Sequence, residues 1–155
     1  MLIYLVQHGD AKREEEDPSR PLSEKGIKDV KGVASHISRF NIGVEEILHS
    51  SKLRAKQTAE IMAEKLKIEK GISETDGLAP LDDASIWEER LKKRHDSLML
   101  VGHLPHLGKL ASLLLCGDKE RNVISFKMGG IVCLKRDDAG SWSLQWMITP
   151  ETLIW

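Results

Sequence analysis

Near its beginning the chain reads Leu2-Ile3-Tyr4-Leu5-Val6-Gln7-His8-Gly9-Asp10-Ala11, and this segment sets the architecture of the protein. Its apolar part, Leu2–Val6, is typical of a buried β-strand, and a histidine and a glycine follow almost at once. A second apolar run, Leu98–Val101, leads in the same way into Gly102 and His103. Because α/β proteins hold ligands at the carboxyl ends of strands, the two histidines are predicted to share one pocket.

The chain alternates apolar runs with segments of helical periodicity. The runs Leu2–Val6, Glu46–His49 and Leu98–Val101 are each followed by such a segment. This order predicts β-α units arranged around a parallel sheet.

The C-terminal part has a different character. The segments Val123–Met128, Ile131–Lys135 and Ser143–Ile148 alternate or run apolar, and residues 137–140, Asp-Asp-Ala-Gly, indicate a hairpin between the last two. Antiparallel strands are therefore expected to close one edge of the sheet.

The first helix is predicted to open at Ser23 as its N-cap, with Leu22 and Ile27 placed as a hydrophobic staple. Two glycines, Gly26 and Gly32, are expected to weaken it. The residues expected to face the core from this helix are Ile27, Val30, Ala34 and Ile37.

Three further helices are predicted. The second begins near Leu53 or Arg54, the third opens with the capping-box pattern Ser85–Glu88 and runs toward Arg94, and the fourth follows His103. The core-facing residues are expected to be Ala55, Ala59, Met62 and Leu66 in the second helix and Leu107, Leu110, Ala111 and Leu114 in the fourth.

Composition excludes several classes of protein. The 155 residues suit one domain, 1–155, and 41% hydrophobic with 30% charged residues is ordinary for a globular chain. A net charge of −1 offers no basic field for a nucleic-acid partner. No apolar run approaches the roughly 18 residues of a membrane span, and the first residues lack signal-peptide features, so a cytoplasmic location is expected. Cys116 and Cys133 lack metal-ligand or redox spacing and are expected to be reduced core thiols.

The predicted strand ends bring chemistry-bearing residues together. If the three strands are parallel, His8, the His49-Ser50-Ser51 turn and His103 all lie at carboxyl ends. Arg54, at the start of the second helix, adds a guanidinium beside the free N–H groups of a helix N-terminus. Two imidazoles and a guanidinium around an anion suit phosphoryl transfer, in which a neutral imidazole attacks phosphorus.

Four motifs in order resemble the histidine phosphatase superfamily, and within it the small bacterial phosphohistidine phosphatases of the SixA type. They are His8–Ala11, Arg20–Gly26, Ser50–Thr58 and Gly102–Pro105, and Trp146–Pro150 resembles the family's ending. The resemblance covers nearly the whole chain. It implies a three-layer α/β/α sandwich of the phosphoglycerate-mutase type, with a mostly parallel sheet and an antiparallel C-terminal edge, and metal-independent chemistry without a cofactor.

The resemblance also implies roles for individual residues. His8 is the nucleophile that becomes phosphorylated, Arg54 binds phosphate oxygens, and His103 donates a hydrogen bond or positive charge to the transferring group. Gly9 and Arg20 are further candidates for the phosphate pocket.

The chain departs from the family motif at Gln7, a phosphate-pocket position where the family has arginine. Gln7 can donate hydrogen bonds but carries no charge. Losing a preorganised donor costs about a hundredfold in rate if nothing compensates. Arg20, or else Lys12 or Arg13, is a candidate for supplying the missing charge.

The class of substrate that is expected depends on whether the site has a general acid to protonate the leaving group. Asp76 is the nearest candidate for a general acid, although a turn-forming or solvated aspartate is the alternative interpretation. Without an acid, phosphohistidine is favoured as substrate because its imidazole leaving group is readily protonated. The short segment before His103 also predicts an open pocket that a histidine on a partner protein can enter.

Three alternatives stay open at this point. One is a phosphatase for small phosphomonoesters, and another is a binding module for phosphate or a phosphoprotein that has lost turnover through Gln7. A metal site of His8, Asp10 and His103 is chemically conceivable, but the spacing does not require it. His106, one turn beyond His103, is expected to face solvent.

Overall fold

Strands and helices alternate along most of the chain, as the sequence predicts. The computed structural model describes residues 1–153. In chain order the elements are β1 (Leu2–Gln7), α1 (Glu24–Ile37), β2 (Glu46–His49), α2 (Leu53–Leu66), β3 (Ile72–Glu74), α3 (Ser85–Lys92), β4 (Leu98–Gly102), α4 (His106–Cys116), β5 (Ile131–Arg136) and β6 (Trp142–Ile148), with short 3₁₀ turns at Ser38–Phe40 and Pro150–Thr152. No helix in the described part of the chain has the length and apolar character needed to cross a membrane.

The six strands form one sheet in the order β3-β2-β4-β1-β5-β6. The first four strands in this order are parallel, while β5 runs antiparallel to β1 and β6 antiparallel to β5. The parallel body and the antiparallel C-terminal edge are therefore as predicted.

Side chains of the central strands alternate between two apolar cores. From β1, Ile3 and Leu5 enter the core that α3 and α4 cover, while Tyr4 and Val6 enter the core that α1 and α2 cover. Helices thus pack on both faces of the sheet and produce the predicted three layers. Burial on both faces explains why β1 reads as a continuous apolar run.

Helix α1 is fixed against the segment that follows β1. Its predicted N-cap is confirmed, because the Ser23 Oγ accepts the N–H of Gly26 at 3.0 Å. A Cβ on Gly26 would lie only 2.0 Å from the carbonyl oxygen of Asp10, so glycine allows the two backbones to touch. This contact sets the rotation of the helix. Ile27 is 37% exposed instead of buried, and Val33 takes a place in the core.

The other helix predictions need smaller corrections. Helix α2 begins at Leu53, but α3 has no side-chain cap and its N-cap is Ala84, so the predicted capping box is wrong. The Ser85 N–H instead bonds the carboxylate of Asp83 at 2.9 Å. The last predicted core positions of α2 and α4, Leu66 and Leu114, are only partly buried.

The segment Val123–Met128 is not a strand. Its alternation is real, because Ile124 and Phe126 are buried in the core beside α4, but the Val123 N–H bonds the Ser112 hydroxyl at 3.3 Å and not a neighbouring strand. Strand β3, which has three residues, was not predicted from the sequence.

The two cysteines differ in their environment. Both are free thiols, Cys133 is buried and Cys116 is exposed, so the expectation of a core position is wrong for Cys116. Cys116 is the last residue of α4, where the helix leaves the core.

Candidate active site

Parallel pairing of β1 and β4 places His8 beside His103. Gln7 and Gly102 are register partners, so the next residue of each strand emerges at the same level of the sheet. The His8 N–H bonds the Gly102 carbonyl at 3.0 Å, and the two imidazole centroids lie 5.0 Å apart. The predicted pair of histidines is therefore brought together.

A hydrogen bond to the backbone fixes which nitrogen of the His8 ring carries the proton. Its Nδ1 lies 2.7 Å from the carbonyl oxygen of Gly9. A carbonyl only accepts hydrogen bonds, so the ring proton sits on Nδ1 and the lone pair sits on Nε2. Burial lowers the pKa of His8 and the cations Arg54 and Arg20 lower it further, against the Gly9 hydrogen bond, which raises it. The imidazole is thus neutral at pH 7, as a nucleophile requires.

Gly9 connects this loop to α2. Its N–H donates to the Thr58 hydroxyl at 3.0 Å, and that hydroxyl donates to the carbonyl of Arg54 at 2.8 Å. A Cβ on Gly9 would lie 2.8 Å from Val30 Cγ2, so a side chain would push α1 away. The contact of Thr58 was not foreseen, since only the fold brings residues 49 positions apart together.

Asp10 connects the same loop to α1. The Ser23 hydroxyl donates to Asp10 Oδ2 at 2.5 Å, and the Ser23 N–H donates to the Asp10 carbonyl at 2.9 Å. The loop that carries His8 is therefore anchored by both helices on one face of the sheet.

His103 is almost completely buried, with 2% of its surface exposed. Its Nε2 lies 2.6 Å from the Ser50 hydroxyl. Burial, with the nearby His8, Arg54 and Lys52, lowers the pKa of His103 to about 3. This ring is therefore also neutral at pH 7.

Two guanidinium groups, of Arg54 and Arg20, lie near His8 and lower its pKa. Arg54 lies in the first turn of α2, its Nε is buried without a protein partner, and burial together with Arg20 lowers its pKa. Arg20 adopts a left-handed backbone with φ of 48°, and its Nε donates to the Lys12 carbonyl at 3.0 Å. Both side chains are close enough to His8 to depress its pKa.

Gln7 is 8% exposed, and its Oε1 has no hydrogen-bond partner. Within residues 1–153, the buried side-chain polar atoms without a partner belong to Gln7, Arg54, His103 and His106. Such atoms are rare in folded proteins. The first three belong to the predicted site, which identifies this edge of the sheet as a place where polar groups remain free for a ligand.

Asp76 is bound to another side chain. Its Oδ1 accepts from Arg90 Nη2 at 2.8 Å, and the carboxylate is 81% exposed. Its backbone carbonyl accepts from Trp87 Nε1 at 3.3 Å. The structure thus directs the predicted acid toward α3.

His106 does not face solvent as predicted. It is fully buried at the first position of α4, and neither ring nitrogen has a partner. Burial lowers its pKa, although Asp82 and Asp83 act in the opposite direction. The sequence prediction failed because the loop before α3 covers the start of α4.

In the described residues, no cluster of three or more histidine, cysteine, aspartate or glutamate side chains could hold a metal ion. The donors at the site are instead imidazoles and guanidinium groups, which suit an oxyanion.

A neutral histidine, a second histidine and an arginine lie together at the carboxyl edge of the α/β sheet, an arrangement that suits phosphoryl transfer. The model of the histidine phosphatase superfamily (branch 1) matches residues 3–99, so the chain belongs to that superfamily. The match includes His8, Arg20 and Arg54 and ends before His103.

Individual relatives agree with this assignment. An uncharacterized protein of Picosynechococcus sp. is 36% identical over 142 residues, which cover 87% of this chain and 85% of that protein. The phosphohistidine phosphatase SixA of Escherichia coli K12 is 25% identical over 158 residues, covering 99% of this chain and 96% of SixA.

A solved structure of the protein histidine phosphatase SixA complexed with tungstate superposes with a TM-score of 0.85 at 25% identity, covering 97% of both chains. Phosphatases of small phosphate esters also share the fold at identities below 25%, and these show the fold alone. The chain is therefore a phosphatase-family protein with a SixA-like fold.

Proposed function

We propose that this protein is a phosphohistidine phosphatase that removes phosphate from a histidine of a partner protein through a phospho-His8 intermediate. The observation that carries the proposal is the neutral His8 ring, whose Nδ1 is held by Gly9 and whose Nε2 is left for attack beside His103 and Arg54. The similarity to SixA over 99% of the chain supports the same substrate class.

The reaction proceeds in two displacements at phosphorus. In the first, the lone pair on His8 Nε2 attacks phosphorus while the bond between phosphorus and the substrate imidazole breaks, and the departing nitrogen takes a proton from solvent. In the second, water attacks phospho-His8, the new P–N bond breaks, and inorganic phosphate leaves with His8 restored.

Charge on the transferring group is balanced by cations and hydrogen-bond donors. Arg54 contributes a guanidinium and the N-terminus of α2 contributes N–H groups, which together hold phosphoryl oxygens. His103 adds a ring N–H beside His8. Gly9 lets the backbone approach closely, and Gln7 offers its amide.

Arg20 takes over the charge that Gln7 lacks. The left-handed backbone of Arg20 is disfavoured for a residue with a side chain by about 1 kcal/mol. Its guanidinium nevertheless lies where it lowers the pKa of both His8 and Arg54. We infer that this conformation is kept because it presents the charge to the site.

The environment of Asp76 favours phosphohistidine over phosphomonoesters. An alkoxide leaving group needs a positioned acid, but Asp76 is paired with Arg90. The imidazole of phosphohistidine is a better leaving group and needs less assistance. A reaction that uses only His8, His103 and the arginines is therefore sufficient, and no metal takes part in it.

Two other functions give different outcomes in the same test. A small-molecule phosphomonoesterase, with Asp76 as acid, would act on generic esters. A binding module would hold the anion at Arg54 and His103 without turnover.

The test measures phosphate release from a phosphohistidine-bearing protein domain and from a generic phosphomonoester, both in the presence of chelator. His8→Ala is compared with wild type and with His95→Ala. His95 is a matched control because it lines a groove with Met1, at the opposite end of β1. Mass spectrometry under alkaline conditions detects the phosphoenzyme.

Faster release from phosphohistidine that is lost in His8→Ala and kept in His95→Ala supports the proposal. Release from the monoester alone assigns the protein to small-molecule phosphatases. Phosphate binding without release from either substrate assigns it to the binding class, and inactivation by chelator overturns the metal-free mechanism.

A further inference from the structure

Ser50 contacts the second histidine of the site. It is the first residue after β2, is 1% exposed, and its Oγ lies 2.6 Å from His103 Nε2. The strand register explains the contact. His49 pairs with Val101 in the neighbouring parallel strand, so the chain segments that follow, Ser50 and His103, leave the sheet side by side.

The position of Ser50 is fixed from several directions. Its N–H donates to the Val101 carbonyl at 3.2 Å, and its own carbonyl accepts from the His49 ring at Nδ1, 2.8 Å away. The His49 ring is itself buried. A hydroxyl on so constrained a backbone is a rigid support for a neighbouring ring.

The hydrogen bonds also indicate which His103 nitrogen carries the proton. The Lys52 N–H reaches the Ser50 Oγ at 3.4 Å and uses one of its lone pairs. Because the Lys52 N–H is a donor, it cannot take the hydroxyl proton, and among the described residues the acceptor within reach of that proton is His103 Nε2. His103 is neutral at pH 7, so a ring whose Nε2 accepts this proton bears its own hydrogen on Nδ1.

We propose that Ser50 is a positioning residue that donates its hydroxyl proton to His103 Nε2 and thereby fixes the ring and its Nδ1–H tautomer. Its effect on turnover rests on the proposed function. Without the hydroxyl, the His103 ring samples both tautomers and other rotations, and only part of the population presents the N–H correctly to the transferring phosphoryl group.

The activity test compares Ser50→Ala with Ser50→Thr, which keeps the hydroxyl, and with Ser141→Ala. Ser141 is the control because it is an exposed serine in the hairpin between β5 and β6, at the end of the sheet away from the site, and its printed hydrogen bonds are made by its backbone. We expect Ser50→Ala to lower kcat about 10- to 100-fold while KM changes by less than about threefold, since Arg54 still binds the anion. Ser50→Thr is expected to recover most of the loss, and Ser141→Ala to match wild type.

The spectroscopic test reads the tautomer without any turnover. In ¹⁵N-labelled protein at pH 7, we expect wild-type His103 to show a protonated Nδ1 and an unprotonated Nε2, and the Ser50→Ala ring to show averaged signals. A protonated Nε2 in wild type, or a spectrum unchanged by Ser50→Ala, overturns the proposal. So does a Ser50→Ala variant with wild-type kcat on a substrate that the wild-type protein hydrolyses.

The two proposals fail separately. If wild type releases phosphate from neither substrate, the proposed function is wrong, while the nitrogen signals of His103 still decide whether Ser50 sets the tautomer. If wild type is active and the signals contradict the tautomer, only the role of Ser50 is wrong.

Discussion

Replacing Gly26 by alanine is expected to destabilise the protein, although the same change in an ordinary helix stabilises it. Gly26 is the third residue of α1, where alanine normally gains up to about 1 kcal/mol over glycine. Here the added Cβ would lie 2.0 Å from the Asp10 carbonyl oxygen and 2.9 Å from the Asp10 carbonyl carbon and nitrogen. These are backbone atoms, and no side-chain rotation relieves the collision.

The magnitude follows from the movement that the Cβ requires. Restoring an ordinary contact separates α1 from residues 8–11 by more than about 1 Å, and the 2.9 Å bond from the Ser23 N–H to the Asp10 carbonyl is lost. Overpacking costs about 1 to 3 kcal/mol and the lost bond about 1 kcal/mol, against the gain in helix propensity. We expect Gly26→Ala to lower the free energy of unfolding by about 2 to 3 kcal/mol.

Catalysis should fall in the same variant, because the displaced loop carries His8. A misplacement of about 1 Å costs on the order of a hundredfold in rate. Urea unfolding gives the change in stability, and phosphate release under conditions where the variant is folded gives the change in kcat.

Gly108→Ala is the matched control. Gly108 is also the third residue of its helix, α4, but a Cβ there would lie 3.6 Å from Leu104 Cδ2 and 4.0 Å from Asn122 Oδ1. We expect this variant to gain about 0.5 to 1 kcal/mol. Wild-type stability in Gly26→Ala would show that α1 does not depend on backbone contact with Asp10. Equal losses in both variants would assign the effect to helix starts in general.

Three further predictions concern charge and protonation. Arg20→Gly should lower kcat/KM about a hundredfold but leave stability within about 1 kcal/mol of wild type, because the relaxed backbone offsets a lost exposed hydrogen bond. The control is Lys67→Gly, at another left-handed residue, which should raise stability and leave kcat/KM unchanged. An Arg20→Gly variant with wild-type kcat/KM would remove Arg20 from the site. The rate of phospho-His8 formation should stay level as pH falls from 8 to 6.5 and decline only below that, since the pKa of His8 is depressed; a midpoint at or above 6.5 in the pH profile would contradict a buried neutral nucleophile. The pKa values of His103 and His106 are lowered in the folded protein, so their contribution to stability is present above pH 6.5 and decreases as pH falls below it, down to about pH 3 for His103. His106→Leu should make urea midpoints less dependent on pH below 6.5, and an unchanged slope would exclude His106 from the effect.

The sequence was informative wherever a pattern has a single structural solution. A buried strand is followed by a histidine at His8 and again at His103, and parallel pairing leaves little choice about where these two residues meet. The N-cap of α1 was predictable for the same reason, because the preference of serine at position 23 is local.

The rotation of α1 was not predictable because the pattern allows two phases. A stripe through Ile27 and a stripe through Gly26 both place Val30 and Ala34 in the core. The structure selects the second, since only a glycine lets α1 approach Asp10. Gly26, which was predicted to weaken the helix, is required for the packing of α1 against Asp10. Helix propensity alone therefore predicts the opposite sign for the effect of Gly26→Ala on stability.

The supporting contacts of the site were also beyond sequence reasoning. The hydroxyls of Ser50 and Thr58 belong to a motif that was recognised, yet nothing in the spacing says that they reach His103 and Gly9. The pairing of Asp76 with Arg90 depends on how the loop before α3 folds back. The burial of His106 depends on the same loop, because a helix start is exposed unless another segment covers it.

The arginines show how a binding site differs from a structural contact in one protein. Arg94 is paired with both Asp96 and Glu46, which raise its pKa, and Arg136 donates to two backbone carbonyls at 2.6 and 2.7 Å. Arg54 is also partly buried, but its Nε has no partner and the nearby Arg20 repels its charge. Burial of an unpaired cation opposes folding, and a neighbouring carboxylate would remove this cost by pairing with it. The Arg54 guanidinium has no such partner among the described residues, so it lowers the stability of the fold. We expect an oxyanion between these two guanidinium groups to remove that cost. The proposed attraction of the site for phosphate and the cost of Arg54 in stability then have the same origin.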